Sequence, residues 1–572
     1  MKKILLGAVA SLTLSACDLD YFPNDSMTSD QMAGNPSSTE YSTDGNYSMF
    51  KDVLEYKGSE YSGSTYVRYF FQMSEFRGDN VCLANKTEDP LYNEICYNDL
   101  ETDLPTSYFW WCAYHIIYGA NAVIESQPEG ASDEGDRMLG ENYFLRAICH
   151  LHLSMLYSRP YTFGRDNMGV VLRTSTDTPA TERSTVGAVY DQIRDDLVKA
   201  AGLLKDKARR GDAGYVSYDA AMGLLSRVYL YRGEDDKVIE TVNGLLGGAS
   251  AESKLDPDYA RYFENALSSP ETLWAVAHED YEDRGRESVG SMYWTPDQRG
   301  VGGWAEMYYS DPLIALYERH PEDIRFTAYC ERLNPDETGQ LQVRWAVASE
   351  GTDFRVNQLY DCFRDDNGYY YEENGSRHYL QAEQEYGRTQ FYVTVGGEKT
   401  RAYVDVKTES FNTCPAFMCK KFASPTNAAH PLLSSPVMLR WGEVILNRAE
   451  AYAKTGNEQG ALDDVNALRR RAGLSEEALY TLDNYREAGY SSVLDVVLDE
   501  RRLELCFEGQ RAFDVFRNGR SLDRRFAGVQ PWEVVDLGGG RLRRSAHPLP
   551  HSLRRNLGQR HSAERLTRFP DD

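Results

Sequence analysis

A chain of 572 residues that is 41% apolar and 26% charged can bury a large globular core, which excludes disorder as its default state. Its formal charge of -26 argues against a nucleic-acid binder, because displacing the counterions of a polyanion takes a field of Lys and Arg. Length alone suggests roughly three or four domains, but no long Pro-rich or Gly/Ser-rich linker divides the sequence, so one compact body with long insertions is expected.

The N-terminus reads as an address. Lys2 and Lys3 precede an apolar run from Ile4 to Leu14 and small residues ahead of Cys17, which predicts a signal peptide over residues 1–16. Leu14-Ser15-Ala16-Cys17 resembles the bacterial lipoprotein processing site, and this implies that Cys17 carries lipid. Several acyl chains on one residue anchor a protein stably, whereas a single chain binds only marginally. No later stretch approaches the roughly eighteen uninterrupted apolar residues of a spanning helix. Nine cysteines follow Cys17, an odd number, so they cannot all pair with one another. Cys112, Cys149 and Cys506 read as small core hydrophobes, while Cys82 with Cys96, or Cys414 with Cys419, are candidates for local bridges.

Apolar residues recur at three- and four-residue spacing in 107–125, 141–158, 186–205, 215–232, 436–472 and 491–517, which predicts helices with one buried face. Two of these regions are alike: Tyr229, Gly233, Val242 and Asn243 recur as Tyr452, Gly456, Val465 and Asn466. Each set fits two helices joined by a Gly turn, a hairpin of tetratricopeptide type, and such hairpins bury their apolar faces by stacking. Residues 281–306 are rich in Gly and aromatics without a helical period, and 351–420 mix Tyr-rich turns with strand-like runs such as TQFYVTV and RAYVDV. Binding residues concentrate in such loops. The expected fold is mainly α: tetratricopeptide-like hairpins packed with a large, loop-rich insertion containing small β elements. The expected parts are a signal peptide (1–16), an N-terminal helical part (17–280), the insertion (281–435) and a C-terminal helical part (436–572). From Arg501 onward, fifteen Arg face nine Asp plus Glu, interleaved as an ion-paired surface would be.

The chemical motifs of an enzyme are absent. His150 and His152 diverge on a helix, no HExxH or P-loop occurs, and Ser288 in GRESVG lacks nucleophile-elbow spacing. DDNGYYYEE (365–373) is an acidic turn without the ligand order of an EF-hand. In DERRLELCFEGQRAFDVFR (499–517), Glu500, Glu504 and Glu508 share one helical face. A glycosidase needs two carboxyls flanking a sugar rather than three side by side, so these glutamates are expected to be scaffold. Arg501 three before Glu504, and Arg511 three after Glu508, are the nearest counter-charges in sequence.

That stretch closely resembles the ERR-x-EL-x-FEG-x-R-x-FD-x-x-R segment of the SusD-like (RagB/SusD) proteins, outer-membrane lipoproteins of the Bacteroidota. Trp110, Tyr114, Ile117 and Asn121 match the W-x3-Y-x2-I-x3-N helix of the family, ENYFLRAICHLHLSMLYSRP is similar to its RA-x-x-Y-x-x-L helix, and LRWGEVILNRAEAYAKTGN to its LRYAEVLL-x-x-AEA hairpin. HPLPHSLRRN (547–556) resembles the closing segment, with His547 in place of Tyr and Leu553 in place of Glu. The resemblance implies a non-catalytic, cofactor-free protein on the outer face of the outer membrane. It would deliver oligomeric nutrients, most often glycans and exceptionally peptides, to a SusC-like TonB-dependent transporter; Asp18 and Asp20 after Cys17 suit surface export.

The resemblance also places Asp79 and Asn80 at an acidic turn bordering the ligand face. Sugars present apolar faces that stack on aromatic rings, so Tyr293, Trp294 and Trp304 in the Gly-rich loop are the stacking candidates, with Tyr369 and Tyr370 as outsiders. Each of these could instead anchor its loop. Three other readings stay open at this point: the same scaffold capturing peptides, a surface glycoside hydrolase, and a structural helical-repeat adaptor.

Overall fold

The computed structural model describes residues 37–83, 91–177, 182–296, 302–332, 339–348, 355–385, 388–407, 417–526, 528, 530–531 and 533–536. The signal peptide, Cys17, Cys414 and the closing segment 547–556 lie outside the described residues.

The chain is mainly α. Its helical body comprises α1 (Ser38–Ser48), α2 (Tyr66–Phe76), α3 (Leu104–Ser126), α4 (Asp133–Tyr157), α5 (Val186–Leu204), α6 (Tyr218–Arg232), α7 (Asp235–Leu246), α8 (Trp441–Thr455), α9 (Glu458–Arg471), α10 (Val493–Glu504) and α11 (Arg511–Arg517). Side-chain caps fix several starts: Ser132, Thr185, Ser217 and Ser492 accept the N–H groups of Gly135, Ala188, Ala220 and Asp495, satisfying donors that the first turn leaves open. Gly233 and Gly456 end α6 and α8 at φ 73° and 86°, the left-handed conformation that a side chain disfavours. Both halves of the sequence repeat are therefore helix–Gly turn–helix hairpins.

Consecutive helices from α3 to α9 pack on one another, and α10 lies across α8 and α9. The step from α7 to α8 belongs to this stack although nearly 200 residues separate the helices in sequence. Arg227 of α6 and Glu443 of α8 join them by two buried contacts of 2.6 Å, and Arg448 donates to Asn243 Oδ1 at 2.6 Å. The insertion is thus a detour out of a continuous helical stack.

Two antiparallel ribbons bring the chain out and back. Thr272–Ala275 pairs with Val437–Arg440, and further along Cys330–Arg332 pairs with Phe417–Cys419. Beyond the second ribbon lies a seven-stranded antiparallel sheet: β1 (Leu341–Ala348), β2 (Arg355–Asp365), β3 (Gly368–Glu373), β4 (Ser376–Tyr379), β5 (Gln381–Glu385), β6 (Arg388–Val395) and β7 (Glu398–Val406). Its order is β4-β3-β2-β1-β7-β6-β5. The two edge strands, β4 and β5, are separated in the chain by Leu380 alone, so the sheet curls round into a ring closed through the chain itself, with both edge strands exposed. Val343, Trp345, Cys362, Tyr371, Val393 and Ala402 fill its own small core. The β content of the insertion therefore extends beyond the two runs legible in sequence.

The cysteine expectations divide. Cys112, Cys149 and Cys506 are fully buried, as core hydrophobes are. No bridge joins Cys82 to Cys96: the Cys82 thiol faces Tyr309 O at 3.5 Å in a satellite cluster, while Cys96 packs in the principal core.

Candidate functional site

The three glutamates on α10 and the turn after it are wrapped in cations. Glu500 meets Arg325 at 2.5 Å and Arg469 at 3.1 Å. Glu504 meets Arg440 at 2.6 Å, Arg325 at 3.1 Å and also Arg471, and Glu508 meets Arg440 and Lys421 at 2.8 Å each. With Glu271 on Arg440 and Asp323 on Arg325, five carboxylates balance five cations. Burial alone would raise the Glu504 carboxyl, but Arg471, Arg440 and Arg325 hold it well below the usual range. A carboxyl held this way is neither a proton donor nor open to a sugar, so the cluster is scaffold. Its partners differ from the sequence-adjacent ones: Arg501 pairs with Asp514 at 2.9 Å and Arg511 with Asp79 at 2.6 Å, because these side chains point toward other elements rather than along their own helix.

Asp79 and Asn80 end the segment after α2 and turn inward. The Asp79 carboxylate is held by Arg511 and, at 3.4 Å, by Arg502; burial raises its pKa, but the two guanidinium groups bring it down to about 2. Asn80 accepts from Arg502 at 2.9 Å and donates to Glu75 at 3.2 Å. Both residues are at most 4% exposed, so they brace α2 against α10 and α11 instead of facing a ligand. Glu75 is fully buried and accepts the N–H groups of Phe507 and Gly509 at 3.1 and 2.8 Å. Burial pushes its pKa up to about 7 despite those donors and the amide of Asn80.

The Gly-rich loop separates its three aromatic candidates. A Cβ at Gly290 would lie 2.0 Å from Phe422 O, and one at Gly303 would lie 2.2 Å from Trp294 O, so the backbone lies tightly against the body and carries two rings inward. Tyr293 is fully buried, edge-on to Phe507 at 5.1 Å and beside Phe422 at 6.0 Å. Trp294 packs in the satellite cluster with Cys82, Tyr308 and Met418. Neither offers a ring face to solvent in this conformation. Trp304 does: it is 41% exposed, its indole N–H donates to Arg286 O at 3.1 Å, and the Arg286 guanidinium lies 4.0 Å from its ring centroid.

The loop that carries Arg286 also forms one wall of a narrow cleft of about 20 Å³, lined by Thr65, His278, Asp283, Arg284, Glu287 and Ser434 among others. Ion pairs hold its rim, Arg68 to Glu287 and Lys51 to Glu282 at 2.7 Å each, and a hydrogen bond joins His430 Nδ1 to Asp283 at 3.0 Å. Tyr281, next to Glu282, is 85% exposed. The loop thus carries exposed aromatic rings, Tyr281 and Trp304, together with charged and hydroxyl side chains, a combination that suits a polar ligand with apolar faces. Sequence reasoning missed Tyr281, Arg284, Arg286 and Glu287; their clustering in the YEDRGRES stretch was the available signal.

The outsiders split by strand parity. Tyr369 faces the interior of the closed sheet and packs on Phe391 at 5.1 Å, whereas Tyr370 lies on the outer face between Phe363 and Tyr379, at 5.6 and 5.4 Å. Arg377 covers the Tyr370 ring, and Tyr379 donates to Asp365 at 2.9 Å. Asp365 also accepts the N–H of Asn367, so the acidic turn is a hairpin between β2 and β3. Among the described residues, no group of three His, Cys, Asp or Glu is placed to hold a metal ion.

Helical hairpins stacked around a nested insertion, with exposed aromatic and charged loop residues, define the scaffold. The SusD family profile matches residues 270–548, and a second SusD-like profile, described as starch-binding and associating with the outer membrane, matches residues 52–230. The chain belongs to the SusD-like family. Two SusD-like proteins of Formosa agariphila, P38 and P2, are each 23% identical to it, over 79% and 72% of this chain and 80% and 71% of their own lengths. A SusD superfamily protein of Bacteroides thetaiotaomicron shares the fold at a TM-score of 0.61 and 21% identity, covering 86% of this chain and 90% of that one. A laminarin-binding SusD-like protein does so at 0.55 and 20% identity, covering 85% and 92%. No described helix is long and apolar enough to cross a membrane.

Proposed function

We propose that this chain is a cell-surface lipoprotein, anchored in the outer membrane through Cys17, which binds oligosaccharides and delivers them to a SusC-like TonB-dependent transporter. It performs no chemistry on its cargo. The observation that carries the reading is the exposed Trp304 ring, held by Arg286 of the charged 280–288 loop, on the scaffold of a family described as starch-binding. One ring face stacks on a pyranose while the neighbouring charged and hydroxyl side chains meet its hydroxyls. Asp79, Asn80, Tyr293 and Trp294 support this surface from beneath, and Trp304 with Tyr281 contacts the ligand.

The test is affinity electrophoresis and calorimetry of the chain from Asp18 onward with laminarin, starch, other polysaccharides and peptide digests. Saturable glycan binding, weakened at least tenfold by Trp304→Ala with the melting temperature unchanged, is the expected result. Peptide binding without a glycan response would overturn it in favour of peptide capture.

A further inference from the structure

We infer that Cys330 and Cys419, whose thiols are unbridged in this structure, form a cross-strand disulfide on oxidation, at the neck of the insertion. They stand directly opposite each other in the antiparallel ribbon through which the chain enters and leaves the closed sheet. Directly opposed residues point to the same face of a ladder. The hydrogen bonding fixes which kind of pair they form: Lys420 N–H donates to Tyr329 O, whereas Cys419 N–H turns away to Tyr293 O. Because the two kinds of pair alternate along an antiparallel ladder, Cys330 and Cys419 occupy a non-hydrogen-bonded position, where Cα atoms lie about 4.5 Å apart. That falls within the roughly 4.4–6.8 Å range of natural disulfides. Cys506 lies nearby, its thiol against the Tyr317 hydroxyl at 3.3 Å and facing Leu503 O, but it sits beyond the end of α10 and opposes neither cysteine in a ladder.

The chemistry is exchange with a disulfide-bearing oxidant such as oxidised glutathione. The Cys330 thiolate, on the partly exposed side of the pair, attacks one sulfur of the oxidant, forming a mixed disulfide and expelling one glutathione thiolate. The Cys419 thiolate then attacks Cys330 Sγ and expels the second. Two cysteine thiols are oxidised, one glutathione disulfide is reduced to two thiols, and the two protons released are taken up by those thiolates. Burial raises both thiols, Cys330 well above the ordinary value and Cys419 to about 12, so the exchange is slow at neutral pH and quickens as the solution becomes alkaline. The inference rests on the proposed export only for the oxidant the bond meets in the cell; its test in solution does not depend on location or on any ligand.

The reduced full-length mature chain is incubated at pH 8.5 with oxidised glutathione, then alkylated under denaturing conditions, digested and read by mass spectrometry. The expected product is one peptide pair linked through Cys330 and Cys419 and lighter by two hydrogens, lost in Cys330→Ser and in Cys419→Ser but retained in Cys506→Ser. Circular dichroism confirms that each variant is folded. Alkylation of both Cys330 and Cys419 after prolonged oxidation, or linkage of Cys419 to Cys414 or Cys506 in their place, would overturn the assignment.

Discussion

Arg227 and Glu443 meet in a two-pronged buried ion pair, 216 residues apart in sequence, and so bolt α6 to α8 across the whole insertion. Removing one partner leaves the other charge buried without its counter-ion, which costs about 3–5 kcal/mol. Arg227→Met alone is therefore expected to lower the urea midpoint strongly, and Arg227→Met with Glu443→Leu to recover much of the loss. Chemical denaturation of the two variants checks this.

Glu504 decides between scaffold and catalysis. Its carboxyl, held low by Arg471, Arg440 and Arg325 against the effect of burial, contributes stability that is fully present above the unfolded value of 4.5 and lost as pH falls through the depressed folded value. Glu504→Gln is expected to destabilise the fold by about 3 kcal/mol or more. A variant that is fully stable yet loses an assayed activity would contradict the scaffold role.

Asp79 and Glu75 predict opposite pH slopes from adjoining positions. Asp79, lowered from 3.8 to about 2, contributes about 2 kcal/mol above pH 3.8, lost as pH falls through 2. Glu75, raised from 4.5 to about 7, binds its proton more tightly in the folded state. Its contribution of about 3 kcal/mol is fully present below pH 4.5 and lost as pH rises through 7. Urea midpoints measured from pH 2 to 8 should show the acid-side loss flattened in Asp79→Asn and the neutral-side loss flattened in Glu75→Gln.

Trp304 and Trp294 should separate binding from folding. Trp304→Ala removes a half-exposed ring and is expected to cost about 1.4 kcal/mol or more of glycan binding, equivalent to the tenfold loss, with little effect on stability. Trp294→Ala empties a packed position and should cost about 3–5 kcal/mol of stability. Thermal melts alongside binding titrations distinguish them.

The helical body was legible because burying one face of a helix imposes its spacing on the sequence, and because Gly233 and Gly456 mark two equivalent turns. The closed sheet was not, since its strands carry large residues on both faces: Tyr371 inside and Tyr370 outside are neighbours in sequence. The site was half legible for a related reason. Trp294 and Trp304 share one Gly-rich loop, and what separates them is the close approach of Gly303 to Trp294 O, a tertiary fact without a local signature. The counter-charges of Glu504 come from Arg325, Arg440 and Arg471 on three other segments, which spacing along one helix cannot reveal.

Nested ribbons give the insertion a seam. Where Cys330–Arg332 meets Phe417–Cys419 the outgoing and returning strands are already neighbours, so the sheet between them is an appendage with a core of its own, tied back to the body through Tyr403 in the satellite cluster and Arg401 on Asp311. Changes in the size of such an appendage need not disturb the register of the helices beneath, so long as those two ties are kept. Surface variation thus has a place to accumulate while the buried charges and stacked hairpins stay unchanged.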